Sequence, residues 1–294
     1  MVIKIKVMDY IYILKPFNWL KGSFMVFIGL LVTRWGIGVG RFTINLYYGL
    51  PIYFLISISG MLIVLAFRLL DVVIEEKRKG QFKRIKIISA ISFLIAFGLS
   101  LFQTINYNLC ISNIYFLAGF GILLFLSVQY GSDSGWKAGL GSFIMSLTPS
   151  YGILYGAALN GFPLSITIFV FFGIIFYLQT SKDIINECKF IERDRREGFK
   201  SFAIDLGEKR AQRLSFIADI ITIVLLILPS IPNLFDILSE ILYTIPMSVA
   251  LILIGIAAFL TYRMNIKRTY YKSTKILLRF AMFFVLTSFL LADF

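Results

Sequence analysis

Long apolar stretches broken at intervals by short basic segments run the length of this 294-residue chain. A helix needs about 20 apolar residues to cross the hydrocarbon core of a bilayer. Stretches of that kind lie at 17–37, 46–67, 87–105, 109–129, 139–159, 162–181, 214–231, 244–262 and 274–292, which predicts about nine transmembrane helices. Only a Gly/Ser-rich stretch at 131–135 separates the fourth from the fifth, so eight or ten spans are the neighbouring alternatives. The expected fold class is an all-α, polytopic membrane protein. The longest segment between spans, 182–213, is too short to fold as a soluble domain, and a single membrane domain over 1–294 is expected.

Composition agrees with that pattern. Hydrophobic residues make up 59% of the chain and charged residues 15%, against about 25% charged in ordinary soluble domains. A formal charge of +13 in a soluble protein would suggest nucleic acid. Here it follows from topology, because short loops rich in Lys and Arg stay in the cytoplasm. Lys4, Lys6, Lys15 and Lys21 precede or open the first span; Lys77, Arg78, Lys79, Lys83, Arg84 and Lys86 follow the second. Further basic residues fill 182–213, and Arg263, Lys267, Arg268, Lys272 and Lys275 follow the eighth. All of these fall on the side of the N-terminus, which is expected to be cytoplasmic, with the C-terminus opposite. The intervening loops are nearly bare, 232–243 carrying only Asp236 and Glu240. Residues 1–10 contain Lys4, Lys6 and Asp9 and no apolar core before a cleavage site, so no signal peptide is expected. The basic balance is thus mostly topogenic, and membrane lipids, not nucleic acid, are the expected partners.

The chain has no histidine, which removes Ser-His catalysis, the usual zinc ligands and a haem-binding histidine. Any metal site is expected to use oxygen ligands, favouring magnesium, calcium or manganese. Cys110 and Cys188 fall in predicted loops on opposite sides and are not expected to pair. Arg68, Asp219 and Arg279 fall near the cytoplasmic ends of their spans, leaving the mid-bilayer almost free of charge, which argues against a proton-coupled or ion-coupled transporter.

Carboxylates gather at two places on the cytoplasmic face. Asp71 and Glu75 end the second span, and Asp183 and Glu187 end the sixth, with Asp194 beyond. Four residues turn a helix by about 40° net, so each pair can point one way, and two facing acidic pairs suit divalent cations. Asp194 joins the same face if the helix continues, at about 20° in projection. The plain alternative is that these acids neutralise a basic loop and are solvated.

The segment KDIINECKFIERDRREGFKSFAIDLGEKRA at 182–211 resembles the second aspartate-rich motif of the UbiA superfamily of intramembrane prenyltransferases, KDIxDxxxDxxxGxxTLxxxLGxxxA. Lys182, Asp183, Asp194, Gly198, Leu206, Gly207 and Ala211 match in order, and KPFNWLKGSFMVFIG at 15–29 is similar to the first-helix opening of the archaeal ether-lipid members. The first family motif, NDxxDxxxD, aligns on FRLLDVVIE at 67–75, where Asp71 and Glu75 keep two acids while Phe67 and Arg68 replace the Asn-Asp pair. In the second motif Asn186 replaces an Asp and four extra residues precede Asp194. Four residues are about one helical turn, so the face is kept, with Glu187 supplying the missing carboxylate.

The resemblance implies a nine-helix bundle with a cytoplasmic-side cavity and Mg2+-dependent transfer of a prenyl group from an isoprenyl diphosphate to a lipid or aromatic acceptor. Geranylgeranylglyceryl phosphate is the acceptor slightly favoured by KPFNWLKG and the basic loops. It further implies that Asp71, Glu75, Asp183, Glu187 and Asp194 hold magnesium, with Asp71 and Asp183 central to catalysis. Asn18, Arg68, Lys182, Asn186 and Arg193 are then the candidate substrate contacts. Arg68 either faces the diphosphate or is a topogenic arginine reaching the interface. Asp205 and Glu208 read as the turn and cap of the seventh span, with Gly207 relieving backbone strain. A quinone-precursor prenyltransferase, a UbiA-like terpene cyclase and a non-catalytic lipid-binding relative are the alternatives.

Overall fold

The computed structural model describes residues 25, 28–29, 146–147, 150–154, 157, 166–196, 202–230, 241–263 and 270–291. Asn18, Arg68, Asp71, Glu75 and Cys110 lie outside them, as does the count of nine spans. Among the described residues every regular element is helical, as the all-α reading expects. Contacts divide the chain into two units, Met1–Gly135 with Tyr151–Pro163, and Trp136–Ser150 with Leu164–Phe294.

The second unit contains α1 (Ile166–Arg196), the short α2 (Phe202–Asp205), α3 (Glu208–Ile227, continued by a 3-10 turn at Leu228–Ser230), α4 (Ile241–Arg263) and α5 (Tyr270–Leu291). α1 packs on α3 and α5, and α4 packs on the same two helices. The seams follow helical periodicity. On α5, Tyr271, Thr274, Leu278, Ala281, Val285 and Phe289 are buried, three or four residues apart, and Phe289 stacks on Phe171 of α1 with ring centroids 3.8 Å apart. Such spacing repeats along one helix stripe. On α3 the buried stripe is Ala211, Gln212, Ser215, Ala218, Asp219, Thr222 and Leu226.

The interior is mainly apolar but holds polar side chains, and large apolar side chains face outward. Gln212, Ser215, Asp219, Thr222, Thr261, Thr274 and Ser288 are buried, while Ile217, Val224, Ile252, Phe259, Phe280 and Phe283 face outward. Small and polar groups between helices with apolar groups outside is what lipid selects, because hydrocarbon offers polar groups no partner. The segments Ile166–Glu192, Tyr243–Arg263 and Tyr270–Leu291 are each long and apolar enough to cross a bilayer. The molecule is an integral membrane protein with several spans.

Three sequence expectations change. The segment after the sixth span is mostly helix and not loop, since α1 runs to Arg196 and carries Cys188 as a buried, unpaired thiol. The polar residues beyond 181 end the apolar run without ending the helix, which their side chains leave intact. Asp219 lies about 16 Å from the start of α3, near its middle because the helix opens at Glu208 and not at 214, and is fully buried. Finally, Gly207 itself is the N-cap residue of α3. Asp205 belongs to α2, and Glu208 bonds to Tyr271 instead of capping.

Two glycines are fixed by geometry. Gly207 has φ 85 and ψ 148, a region open essentially to glycine. In the first unit, a Cβ on Gly29 would fall 2.2 Å from the carbonyl oxygen of Ile153, so two helical backbones touch there as small residues permit in membranes. Gly207→Ala is expected to lower stability by about 1–3 kcal/mol through backbone strain alone, since open space surrounds that position. Gly255, equally uncrowded but within α4, is the control. Thermal unfolding of both variants in detergent should show a lower midpoint for Gly207→Ala and none for Gly255→Ala; equal midpoints would contradict the strain argument.

Candidate functional site

The second half of α1 carries the sequence-predicted polar residues on consecutive turns. Gln179, Asp183 and Asn186 are four and three residues apart, within about 60° of one another around the helix. α1 stays helical through them because the polar groups bond sideways to neighbouring side chains. Gln179, buried, donates from Nε2 to Asp183 Oδ2 at 2.7 Å. Ser146 Oγ donates to the same oxygen at 3.3 Å. Lys182 donates to Gln179 Oε1 at 2.6 Å and sits 3.5 Å from Asp183 Oδ1. Asp183 is thus oriented through one oxygen, while its other oxygen faces the Lys182 ammonium at ion-pair distance. Its side chain is 28% exposed and that of Lys182 15%, so the pair sits at the wet edge of the seam.

α3 and α5 lock this end of α1 in register. The hydroxyls of Ser181 and Ser215 lie 2.8 Å apart, and Ser215 also reaches the Ser181 carbonyl oxygen at 3.3 Å. Tyr271 of α5 donates its hydroxyl to Glu208 and accepts from Gln212, both on α3. Lys275, one turn further along α5, donates to Asn186 Oδ1 of α1. Glu187 is half-buried beside Cys188, which Glu208 also faces. These bonds gather the C-terminal half of α1 and the N-terminal ends of α3 and α5 at one end of the unit.

Of the sequence-predicted residues, Lys182, Asp183 and Asn186 come together here, with Glu187 on the next turn. Arg193 and Asp194 lie on the helical continuation, Asp194 about 16 Å beyond Asp183 along the axis. A single ion cannot touch two groups so far apart, so the shared face expected from projection does not by itself make one site. Asn18, Arg68, Asp71 and Glu75 are outside the described residues. Sequence reasoning missed Lys275, which it assigned to topology, along with Gln179 and Ser146. Lys275 is 89 residues from Asn186 in sequence, and nothing local marks it. The missed signal for Gln179 was its i to i+4 spacing from Asp183 within an apolar run.

Among the described residues, no three cysteine or carboxylate side chains converge to hold a metal ion. What they offer is hard oxygen donors, foremost Asp183, braced by neutral donors and with a partly exposed carboxylate. That donor chemistry suits magnesium, which takes one or two carboxylates together with substrate phosphate oxygens and water.

No family model and no curated protein matches the sequence. Solved structures do match. A digeranylgeranylglyceryl phosphate synthase superposes with a TM-score of 0.73 at 18% identity, over 97% of each chain. A UbiA homolog from Aeropyrum pernix K1 superposes with a TM-score of 0.58 at 14% identity, over 90% of this chain and 96% of that one. The second aspartate-rich segment, read from sequence as UbiA-like, forms the polar end of α1 in a chain whose whole length follows those structures. The fold of this protein is the UbiA fold.

Proposed function

We propose that the protein transfers a prenyl group from an isoprenyl diphosphate to a lipid or aromatic acceptor within the membrane, with geranylgeranylglyceryl phosphate the favoured acceptor. The observation that carries this reading is Asp183: a carboxylate at a motif position, braced by Gln179 and Ser146 and paired with Lys182, on a UbiA fold. The likeness to a digeranylgeranylglyceryl phosphate synthase along 97% of both chains supports the choice of acceptor.

In the reaction, the bond between the allylic carbon and the diphosphate oxygen breaks and its electron pair leaves with the diphosphate. The acceptor's nucleophilic atom bonds that carbon and then loses a proton. The barrier lies in separating a carbocation from a multiply charged anion, so fixed groups that meet the developing charge on oxygen lower it most. Asp183 is held for ligation of magnesium, which when bound would neutralise the leaving diphosphate. Lys182 presents an ammonium beside the same carboxylate and can follow the diphosphate directly. Gln179 keeps Asp183 from rotating away, the preorganisation that makes such a site effective. Asp71 and Glu75 are proposed as the second acidic pair, with Glu187 completing the first and Asp194, too far from Asp183 to share its ion, as a separate ligand; Asn18, Arg68, Asn186 and Arg193 are proposed contacts to substrate.

Asp183→Asn is expected to reduce magnesium-dependent transfer by about a hundredfold or more and to leave the unfolding midpoint nearly unchanged, since the side chain is 28% exposed at the edge of the seam and asparagine keeps an oxygen to accept from Gln179. Thin-layer analysis of purified protein with radiolabelled prenyl diphosphates and candidate acceptors reads the first quantity. A product that forms without acceptor would point to a cyclase, and full activity in the variant would remove Asp183 from the mechanism.

The basic segments around α1, α3 and α5 are proposed to face the cytoplasm, with the C-terminus opposite. The bonds from Lys275 to Asn186 and from Gln212 to Tyr271 support a common side for the segments flanking these helices. Cysteine labelling should find Lys200→Cys accessible from the cytoplasm and Glu240→Cys from the other side. Labelling of both from one side would overturn this topology.

A further inference from the structure

We propose that Lys275, together with Lys182, Lys189, Arg279 and Asn186, forms a phosphate-binding face on the α1–α5 seam that takes one phosphate group of a substrate, an inference that rests on the prenyl-transfer reading for its role but not for its chemistry. The Lys275 ammonium is half-buried and is faced by three cations, Arg279 of its own helix and Lys189 and Lys182 of α1, with Asp183 as the carboxylate among the charges around it. Four cations against one carboxylate repel one another, and an arrangement of that kind is stabilised when an anion completes it. In a span of a membrane helix, where long cationic side chains could reach out to water, Lys275 instead turns inward to bond Asn186.

The bond to Asn186 adds a directional argument. An ammonium carries only donors, so it fixes Asn186 with its carbonyl oxygen toward Lys275 and leaves the amide NH2 as a further donor. The Phe190 ring has Lys189 at 5.1 Å and Lys275 at 6.0 Å from its centroid, one from each helix, so both ammonium groups border the same aromatic side chain. Ammonium groups are compact and strongly hydrated, suited to a phosphate as point charges.

Two sources supply this chemistry: the phosphate of a substrate or leaving group, and the headgroup of an anionic lipid. Both are tested by binding and not by turnover, so a chain inactive in prenyl transfer still gives a result. Purified protein in dodecyl maltoside is titrated calorimetrically with inorganic pyrophosphate, and its unfolding midpoint is measured with and without phosphatidic acid in the micelles. The variants are Lys275→Met, Lys275→Arg and Lys272→Met, the last removing an exposed lysine from the same helix.

A roughly tenfold loss of pyrophosphate affinity in Lys275→Met, with recovery in Lys275→Arg and none lost in Lys272→Met, supports a substrate phosphate. Loss of the phosphatidic acid stabilisation alone, with the same pattern across variants, supports the phosphate face and assigns it to lipid. Absence of binding in the native chain, or equal losses in Lys275→Met and Lys272→Met, overturns the proposal. Unfolding midpoints without ligand show whether each variant is folded, and Lys189→Met, at an exposed position, repeats the test should Lys275→Met fail to fold.

Discussion

Hydrocarbon offers no partner to a polar group, and this constraint sets the arrangement of the helices that carry the site. Ser181 meets Ser215, Gln212 meets Tyr271, and Lys275 meets Asn186, each pair joining two helices. Interhelical bonds of this kind contribute about 0.6–2 kcal/mol apiece in membranes. Their larger effect is on register. A slide of one turn between α1 and α5 would leave Lys275 and Asn186 unpaired together, so the level of Asp183 relative to the basic end of α5 is fixed by pairs that do not themselves touch it. Apolar packing, as in the stack of Phe171 on Phe289, fills the same seam but tolerates sliding far better.

The site that results combines opposite requirements. Asp183 must keep its charge, which calls for donors and some water, and must be rigid, which calls for burial. Gln179 and Ser146 resolve this by bonding one oxygen from the protein side while the other stays beside Lys182. A carboxylate held in this way has lost rotational freedom without losing its affinity for a cation. The surrounding lysines add attraction for anions, so the proposed metal ligand and the proposed phosphate face would share one end of the unit.

Much of this was legible beforehand. The run lengths placed α4 and α5 within a few residues, because basic residues such as Arg263 and Lys272 stand in the terminal turns and mark where the apolar stretches stop. The motif at 182–211 led to Asp183, Lys182 and Asn186. What stayed hidden was the end of α1, since the change from apolar to polar residues at 181 marks an interface and not a helix terminus. The extension to Arg196 needs no sequence signal other than the absence of Gly and Pro, which Gly198 then breaks. Lys275 was hidden for a different reason. A basic residue at a cytoplasmic helix end satisfies the topology rule whether or not it touches anything, and only its three-dimensional neighbours distinguish the two.

The length of α1 has one more consequence. At 31 residues it spans about 46 Å, against about 34 Å for α4 and 33 Å for α5 and a hydrocarbon core of about 30 Å. Asp183 stands about 26 Å from the first residue of α1, a distance comparable to the thickness of the hydrocarbon core. Bilayer thickness therefore becomes a variable of the site. A thicker membrane would draw Asp183 and Lys182 toward hydrocarbon or force the helix upright, and a thinner one would leave them in the headgroups; helices meet such mismatch by tilting at modest cost per ångström. A change in the tilt of α1 would then shift the polarity around Asp183.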